Sequence, residues 1–166
     1  MMNLIVAVDR DYGIGKNNSL LFSIPEDMKY FRETTYGKTV VMGYNTLKSF
    51  PGGKPLKGRR NIVLSRSHAS EIEGAEVCRD IAELGSLLAD GSTDDVFVIG
   101  GASVYELLLG YCDYAYITEM DVKCEADCFF PALSGCWSLY KEGEEKEYEG
   151  VKYRFNIYKN SSPKKL

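Results

Sequence analysis

Short apolar runs alternate with helical patterns over the first two thirds of this chain, and this alternation limits the folds available to it. The apolar runs lie at residues 4–8, 39–42, 61–64 and 96–99, with a further short candidate at residues 75–78. The helical patterns lie near residues 25–36, 44–50, 80–89 and 102–110. Short β-branched runs bounded by turn signals are typical of buried parallel strands. The sequence therefore predicts an α/β fold with a largely parallel sheet.

The last third of the chain follows a different pattern, in which apolar and polar residues alternate. Residues 114–120 and 151–159 alternate in this way, and a candidate strand at residues 137–141 precedes a stretch rich in Glu and Lys. Glu149 and Gly150 form a turn signal before the last strand. We therefore expect antiparallel strands, joined by a hairpin turn, to close the sheet.

Length and charge narrow the class of protein. The 166 residues contain no internal repeat, low-complexity tract or linker, so we expect one domain at residues 1–160 and a polar tail at residues 161–166. Residues 160–166 are expected to be frayed. The net charge of −4 makes nucleic acid an improbable partner. There is no apolar run of membrane-spanning length and no signal-peptide pattern, so we expect no membrane association and a cytoplasmic location.

The cysteines and the single histidine do not form the pattern of a structural zinc site. The five cysteines include no Cys-x-x-Cys pair, and His68 is the only histidine. Cys124 and Cys128 have a finger-like spacing but lack a second pair of ligands. We therefore expect no metal, reduced cysteines, and no nucleophile activated by histidine.

Two places in the chain show a strand, then glycine, then a helix in immediate succession. One is at Gly43 and the other is at Gly100–Gly101. Such turns lie at the carboxyl ends of parallel strands, where glycine permits close approach of a ligand and the helix start favours phosphate. Neither turn has a recognised nucleotide-binding fingerprint, and each alone is compatible with an ordinary tight turn. Together they suit a dinucleotide whose pyrophosphate bridges them.

Residues 14–31 bring a single carboxylate into apolar surroundings. Pro25 suits the first turn of a helix, and Asp27 then shares a helical face with Phe31, with Met28 beside it. Such an acid is either a solvated charge at a helix start or a poised catalytic group, and its spacing alone does not decide between them.

Taken together, these motifs resemble bacterial dihydrofolate reductases over essentially the whole chain. The resemblance is carried by Ala7-Val8-Asp9, Gly13-Ile14-Gly15-Lys16, Pro25-Glu26-Asp27-Met28 with Phe31, Val41-Met42-Gly43 with Thr46 and Ser49, Gly58-Arg59-Arg60-Asn61 with Leu64-Ser65-Arg66, Val98-Ile99-Gly100-Gly101 with Tyr105, and Thr118, Asp127 and Phe130-Pro131. It implies a mostly parallel eight-stranded sheet with C-terminal antiparallel strands and about four flanking helices. It also implies a monomer that uses NADPH to reduce 7,8-dihydrofolate to tetrahydrofolate, by hydride transfer to C6 and protonation at N5, and that antifolates inhibit.

The resemblance also implies roles on the substrate side. Asp27 matches the pocket acid, Thr118 matches a threonine that supports it, and Phe22 stands at a third position of the catalytic set. The positions matched to substrate binding are Ile5, Ala7, Asp27, Met28, Phe31, Phe50, Leu56, Arg59, Ile99, Tyr105 and Thr118. Whether Asp27 itself donates the N5 proton, or polarises the ring while water donates, is left open.

Local basic density is greatest at Lys54, Lys57, Arg59, Arg60 and Arg66. Such a cluster is more often a solvated loop than an anion site. The resemblance matches Arg59 to the arginine that holds the substrate α-carboxylate, and we expect Lys57 and Arg60 to stay solvated.

On the cofactor side the resemblance covers both glycine turns and the loop after residue 64. The matched positions are Ala7, Ile14, Gly15, Leu20, Gly43, Tyr44, Asn45, Thr46, Leu64, Ser65, Arg66, Ile99, Gly100, Gly101, Ala102, Ser103, Val104 and Tyr105. The Gly100–Gly101 peptide is expected to be cis, and Ser65 and Arg66 to contact the adenosine 2′-phosphate. Asp127 is expected to contact a lid formed by residues 14–24.

The chain departs from the family pattern at two places. Phe22 replaces a tryptophan whose indole N–H holds a water near the pterin, so that water is expected to be looser here. Tyr44 and Ser103 replace basic residues, so the preference for NADPH is expected to depend mainly on Arg66.

Three other functions are compatible with parts of the pattern. A riboflavin-pathway reductase of the same fold would usually lack the Pro-x-Asp helix start. A non-catalytic folate- or nucleotide-binding paralogue would be expected to lose Asp27 or the Gly-Gly turn, and both are present. A purely structural α/β domain leaves the joint spacing of the motifs unexplained.

Overall fold

The computed structural model describes residues 1–16, 23–67, 72–90 and 95–166. The strands are β1 (Met2–Val8), β2 (Gly13–Gly15), β3 (Thr39–Gly43), β4 (Arg60–Leu64), β5 (Ala75–Cys78), β6 (Val96–Val98), β7 (Tyr114–Met120), β8 (Cys128–Phe129), β9 (Trp137–Lys141), β10 (Lys146–Tyr148) and β11 (Val151–Asn160). The α-helices are α1 (Pro25–Thr35), α2 (Tyr44–Ser49), α3 (Ile81–Leu88) and α4 (Ala102–Leu108). Short 3₁₀ turns lie at Pro51–Gly53 and Leu109–Tyr111.

One large sheet organises the chain, with the strand order β10-β11-β7-β1-β6-β3-β4-β5. The six strands from β7 to β5 in this order are parallel to their neighbours, whereas β11 runs antiparallel to β7. β9 and β10 both pair with the edge of β11 that faces away from β7, so nine strands occupy eight positions across the sheet. The predicted α/β fold, with a mostly parallel eight-stranded sheet, antiparallel C-terminal strands and four helices, is confirmed.

The turn expected at Glu149 and Gly150 is present, but it joins β11 to β10 and not to the predicted strand at residues 137–141, which is β9. Tyr148 pairs with Val151, and the intervening Glu149 and Gly150 both have positive φ angles, of 49° and 81°. Two-residue hairpins prefer such left-handed turns because their twist matches that of the flanking strands. Sequence analysis did not identify β10 itself, which lies within the Glu/Lys-rich stretch, nor the small separate sheet formed by β2 and β8.

The expectation that residues 160–166 are frayed is wrong for their first part. Asn160 is the last residue of β11, is buried, and donates a 3.0 Å hydrogen bond from Nδ2 to the carbonyl of Cys112. The N–H groups of Ser161 and Lys164 donate to the carbonyls of Cys136 and Gly110. The tail is therefore attached to the body by backbone hydrogen bonds that its polar composition does not reveal.

Successive residues of each central strand face opposite sides of the sheet. In β1, Leu4 and Val6 join a core that includes Leu84 of α3 and Leu108 of α4. Ile5 joins the core on the other face, against which Phe31 of α1 packs. The sheet is therefore covered on both faces, as parallel sheets require. Among the described helices, none is long and apolar enough to cross a membrane.

Candidate active site

Asp27 lies in the first turn of α1 and faces β7 across the sheet surface. The hydroxyl of Thr118 donates a hydrogen bond of 2.7 Å to Asp27 Oδ1. Thr118 is itself buried, with 2% of its surface exposed, because it occupies an inward-facing position between β1 and β11. The structure thus brings together the predicted acid and its predicted supporting threonine.

The surroundings of Asp27 are poorly solvated. Burial raises the pKa of the Asp27 carboxyl above its ordinary value, and the hydrogen bond from Thr118 opposes the rise. Tyr30 lies one turn further along α1, and burial, together with charge on Tyr116 and Asp27, raises its pKa to about 12. A half-buried carboxylate in an apolar wall is consistent with a catalytic group and not with a solvated helix-start charge.

Most of the predicted substrate-binding residues lie on the α1 side of the sheet, as Asp27 does. Ile5 and Ile99 are buried there, and the partly buried side chains that pack against the same cluster include Phe31, Phe50 and Leu56. Ala7 packs against a neighbouring cluster. Met28 is 51% exposed at the helix surface. An apolar wall with one carboxylate suits a flat ring that has polar groups along one edge.

Tyr105 is the exception among these residues, because its ring lies in the core on the α4 side. It is fully buried, packs edge-to-face on Phe130 at 5.2 Å between ring centroids, and donates a 2.7 Å hydrogen bond to the carbonyl of Ile5. Tyr105 thus supports the backbone of β1 from below the site.

The Arg59 side chain lies beside the C-terminal end of α1. Its Nε donates to the carbonyl of Lys57 at 3.0 Å, and its Nη1 donates to the Thr35 hydroxyl at 3.1 Å. The Thr35 hydroxyl donates in turn to the carbonyl of Phe31, so the guanidinium is oriented from the helix end. Burial lowers the pKa of Arg59, although at neutral pH the side chain remains charged.

The expectation that Arg60 stays solvated is wrong. Its guanidinium forms two hydrogen bonds with Glu76, of 2.6 and 3.0 Å, pairs with Asp90 at 2.8 Å and donates to the carbonyl of Leu87. Because its acidic partners come from β5 and the segment after α3, sequence adjacency to Arg59 gave no sign of them. Arg60 is a structural residue that joins β4 to β5 and to the segment after α3, whereas Lys57 is exposed as expected.

The two glycine turns meet at the carboxyl edge of the sheet. The N–H of Gly43 donates to the carbonyl of Gly100 at 2.9 Å, and the Gly100–Gly101 peptide is cis, as predicted. A Cβ on Gly43 would lie 3.2 Å from Cγ2 of Val104. A Cβ on either Gly100 or Gly101 would lie 3.5 Å from Oγ1 of Thr46, so side chains there would fill the space over the turn.

The helices after these turns begin without side-chain caps. Gly43 is the N-cap of α2 and Gly101 is the N-cap of α4, and neither helix start has a side-chain cap hydrogen bond. Uncapped helix starts leave backbone N–H groups available to an anionic ligand. Residues Tyr44, Asn45 and Thr46 occupy the first turn of α2, and Ala102, Ser103 and Val104 that of α4.

Further predicted cofactor residues lie at the same edge of the sheet or on β2. Leu64 ends β4, and Ser65 and exposed Arg66 follow it. Ile14 and Gly15 lie on β2, and the N–H of Asp127 donates to the carbonyl of Gly15 at 2.9 Å. Leu20 and Phe22 fall outside the described residues, as does most of the predicted lid.

Two acidic residues that organise this region were not predicted from the sequence pattern. The buried Asp9 accepts hydrogen bonds from the backbone N–H groups of Asp11, Gly13 and Cys124 and so joins two loops. Glu26 accepts a 2.7 Å hydrogen bond from Tyr153. Asp9 lay within a quoted motif, but no local signal indicated the contact of Glu26.

Comparison with known proteins agrees with this geometry. A family model described as dihydrofolate reductase matches residues 1–160. The dihydrofolate reductase of Bacillus subtilis is 34% identical over 167 residues, which cover 98% of this chain and 97% of the relative. The dihydrofolate reductase of Mycobacterium tuberculosis is 37% identical over 169 residues, which cover 97% of this chain and 99% of the relative. The dihydrofolate reductase of Neisseria meningitidis serogroup B is 36% identical over 161 residues, which cover 95% of this chain and 96% of the relative. The chain belongs to the dihydrofolate reductase family.

Proposed function

We propose that this protein reduces 7,8-dihydrofolate to 5,6,7,8-tetrahydrofolate with NADPH as the hydride donor, and so supplies one-carbon metabolism. The observation that carries the proposal is the half-buried Asp27 carboxylate, held by Thr118 at 2.7 Å in an apolar wall. A reductase needs an acid for the substrate and a place for a dinucleotide, and the two glycine turns that meet at the carboxyl edge of the sheet offer the second.

The role of Asp27 follows from the chemistry of the pterin ring. Its carboxylate can accept paired hydrogen bonds from the 2-amino group and the adjacent ring N–H, which fixes the orientation of the ring. A carboxyl group with a raised pKa can also hold a proton closer to neutral pH, and this assists protonation at N5. The hydrogen bond from Thr118 fixes the position of Oδ1. Because the carboxylate is planar, this also limits where the second oxygen can lie.

The opposite end of the substrate carries carboxylates, and Arg59 is the residue proposed to bind the α-carboxylate. Its guanidinium is held by Thr35 and the Lys57 carbonyl, which together use Nε and Nη1. A planar fork that is already oriented loses less conformational entropy when it pairs with a carboxylate. The apolar wall between Arg59 and Asp27 would contact the ring and the aminobenzoyl group.

The residues at the glycine turns fit an NADPH molecule. Two uncapped helix starts lie next to each other, and the missing side chains at Gly100 and Gly101 leave space beside Thr46. The backbone N–H groups there would bind the pyrophosphate, and Ser65 and Arg66 would bind the 2′-phosphate. When bound, NADPH supplies the hydride. The residues of this chain orient the two ligands and hold a proton at Asp27.

Several finer features belong to the same proposal. We propose that the enzyme is a monomer that works in the cytoplasm, that residues 1–160 form its domain, and that diaminopyrimidine antifolates inhibit it by pairing with Asp27. Asp127, whose N–H bonds Gly15, is proposed to contact the lid segment. A riboflavin-pathway reductase remains the alternative within the fold, but no feature of the described residues favours it.

A direct assay tests the proposal. Purified protein is mixed with 7,8-dihydrofolate and NADPH, and the loss of reduced-nicotinamide absorbance is followed with and without a diaminopyrimidine antifolate. We expect turnover that the antifolate abolishes and that Asp27→Asn lowers strongly. A protein that oxidises NADPH only with a ribosylamino-pyrimidine substrate would instead be a riboflavin-pathway reductase.

A further inference from the structure

Glu26 and Asp27 are adjacent in sequence, yet their carboxylates are bound by two different strands. Asp27 accepts its hydrogen bond from Thr118 on β7, and Glu26 Oε2 accepts one of 2.7 Å from the hydroxyl of Tyr153 on β11. The two strands are neighbours in the sheet, where Tyr153 pairs with Met120. The first turn of α1 is therefore attached to the sheet at two points.

The start of α1 depends on these attachments because it has no cap of its own. Its N-cap is Ile24, which makes no side-chain cap hydrogen bond, and Pro25 follows at the first helical position. Ile24 is buried with Tyr153 and Met120 in one small apolar cluster. Apolar contacts of this kind do not by themselves fix the rotation of a helix about its axis. Two hydrogen bonds directed to separate strands do fix it.

Tyr153 is well suited to hold a fixed position. Only 3% of the residue is exposed, and its ring packs edge-to-face on Phe155 at 5.5 Å, while Phe155 stacks on Tyr30 of α1 at 4.2 Å. Phe155 pairs with Thr118 in the sheet. Burial and the Glu26 hydrogen bond raise the pKa of Tyr153 to about 12, so its hydroxyl remains a donor throughout the working pH range.

A third group completes the contact. Lys146 Nζ lies 3.1 Å from Glu26 Oε1, so the two oxygens of Glu26 have separate partners. Lys146 and Tyr153 are register partners of the β10–β11 hairpin. The hairpin therefore presents a donor and a cation to the same carboxylate.

From this arrangement we propose that Tyr153, acting through Glu26 and aided by Lys146, is a positioning residue for Asp27. The inference rests on the proposed function, because it concerns the rate at which dihydrofolate is reduced. The contact holds the first helical turn at the rotation that directs Asp27 towards Thr118 and the substrate ring. Without it the helix start rotates more freely, and the carboxylate spends less time in the reactive arrangement. Misplacement of a reacting group lowers the chemical step more than it lowers ligand binding.

Single-turnover hydride transfer in the Tyr153→Phe variant provides the test, since steady-state turnover can be limited by product release. We expect this rate to fall by about 3- to 10-fold, while KM for NADPH changes by less than about twofold. Tyr158→Phe is the matched control. Tyr158 lies on the same strand and also donates to a glutamate, Glu119 at 2.9 Å, but on the α4 side of the sheet. This control should lower Tm by a similar amount and leave the hydride-transfer rate within about twofold of the unaltered enzyme.

Glu26 provides a second pair of variants, and these do not disturb the core because Glu26 is exposed. Glu26→Ala should lower hydride transfer as Tyr153→Phe does, whereas Glu26→Gln, which still accepts from Tyr153, should recover most of the rate. The double variant Tyr153→Phe/Glu26→Ala should be no slower than either single variant, because both remove the same contact.

The outcomes separate this inference from the proposed function. An unaltered protein that does not reduce dihydrofolate overturns both. If the unaltered protein is active and Tyr153→Phe and Glu26→Ala transfer hydride at the full rate, only the positioning role is overturned. The positioning role is also overturned if Tyr153→Phe and Tyr158→Phe slow hydride transfer equally. It is likewise overturned if the effects of Tyr153→Phe and Glu26→Ala on the hydride-transfer rate add in the double variant.

Discussion

The Thr118 hydroxyl donates to the Asp27 carboxylate at 2.7 Å although the two residues are 91 positions apart in the chain. This hydrogen bond and the burial of Asp27 have opposite effects on the pKa of its carboxyl group. Burial disfavours the charged form and raises the pKa, whereas the hydrogen bond stabilises the charged form, and burial has the larger effect. The pKa of the Asp27 carboxyl group therefore lies above its ordinary value.

Replacing Asp27 by Asn should lower turnover by about 10²- to 10⁴-fold near neutral pH, because the acid that assists protonation is lost. Activity should recover partly in acid, where the substrate protonates without help. The measurement is a profile of kcat against pH for both proteins. A loss of only a few-fold that is the same at every pH would contradict the role given to Asp27.

The same substitution should make the protein more stable. Because the pKa of Asp27 is raised on folding, the folded state holds this proton at pH values where the unfolded chain has released it. Stability therefore falls as pH rises from the ordinary pKa of 3.8 towards the folded pKa. Asn has no proton to lose and can still accept from Thr118. The Tm of Asp27→Asn should therefore exceed that of the unaltered protein at pH 7, and the difference should shrink below about pH 4.

Removing the hydroxyl of Thr118 should move the pH profile upward. Thr118→Val deletes the hydrogen bond that lowers the pKa of Asp27, so the apparent pKa of hydride transfer should rise. Thr39→Val provides a control, since Thr39 is equally buried in the parallel sheet but lies on β3. Loss of stability without a shift of the profile is expected for the control, and a matching shift in both variants would refute the assignment.

Arg59 and Arg60 should differ in function although they are neighbours in sequence. Arg59→Gln should raise KM for dihydrofolate by about 10- to 100-fold, the range for a charge-assisted hydrogen bond, with little change in Tm. Arg60→Gln should instead lower Tm, because it leaves Glu76 and Asp90 without their cation, and should leave KM nearly unchanged. Steady-state kinetics and thermal denaturation of both variants distinguish the two roles.

The preference for NADPH should depend on Arg66. This exposed side chain follows β4 at the carboxyl edge of the sheet, and neither Tyr44 nor Ser103, in the first turns of α2 and α4, carries a positive charge. Arg66→Ala should reduce the ratio of kcat/KM for NADPH to that for NADH by about tenfold or more. An unchanged ratio would mean that another residue binds the 2′-phosphate.

The parallel half of the fold could be predicted because its strands carry their signal locally. β1, β3, β4 and β6 are buried on both faces, so each contains a short apolar run with glycine or turn residues after its end. β10 could not be predicted in this way. Its sequence, Lys146–Tyr148, is charged, and it becomes a strand because β11 offers it an edge.

The site residues likewise fall into two groups, those that a local motif predicts and those whose contacts are distant in sequence. Asp27 and the glycine turns stand in short motifs whose residue types reflect their chemistry. The contact between Glu26 and Tyr153 spans 127 positions and depends on the register of β11, which no local pattern encodes. The partners of Arg60 likewise reach it from separate elements, and a solvated arginine was the wrong expectation for that reason.

The position of β1 in the sheet has a consequence for how the enzyme is made. β1 leaves the ribosome before the other described strands, yet both of its neighbours, β6 and β7, begin about a hundred residues later. Pairings so distant along the chain form slowly, and the apolar surface of the early strands must be shielded until they form. The hydrogen bond between Thr118 and Asp27 likewise cannot form until Thr118 has been synthesised. A nascent chain that stops before β7 therefore contains the acid and both glycine turns, but it has no active site.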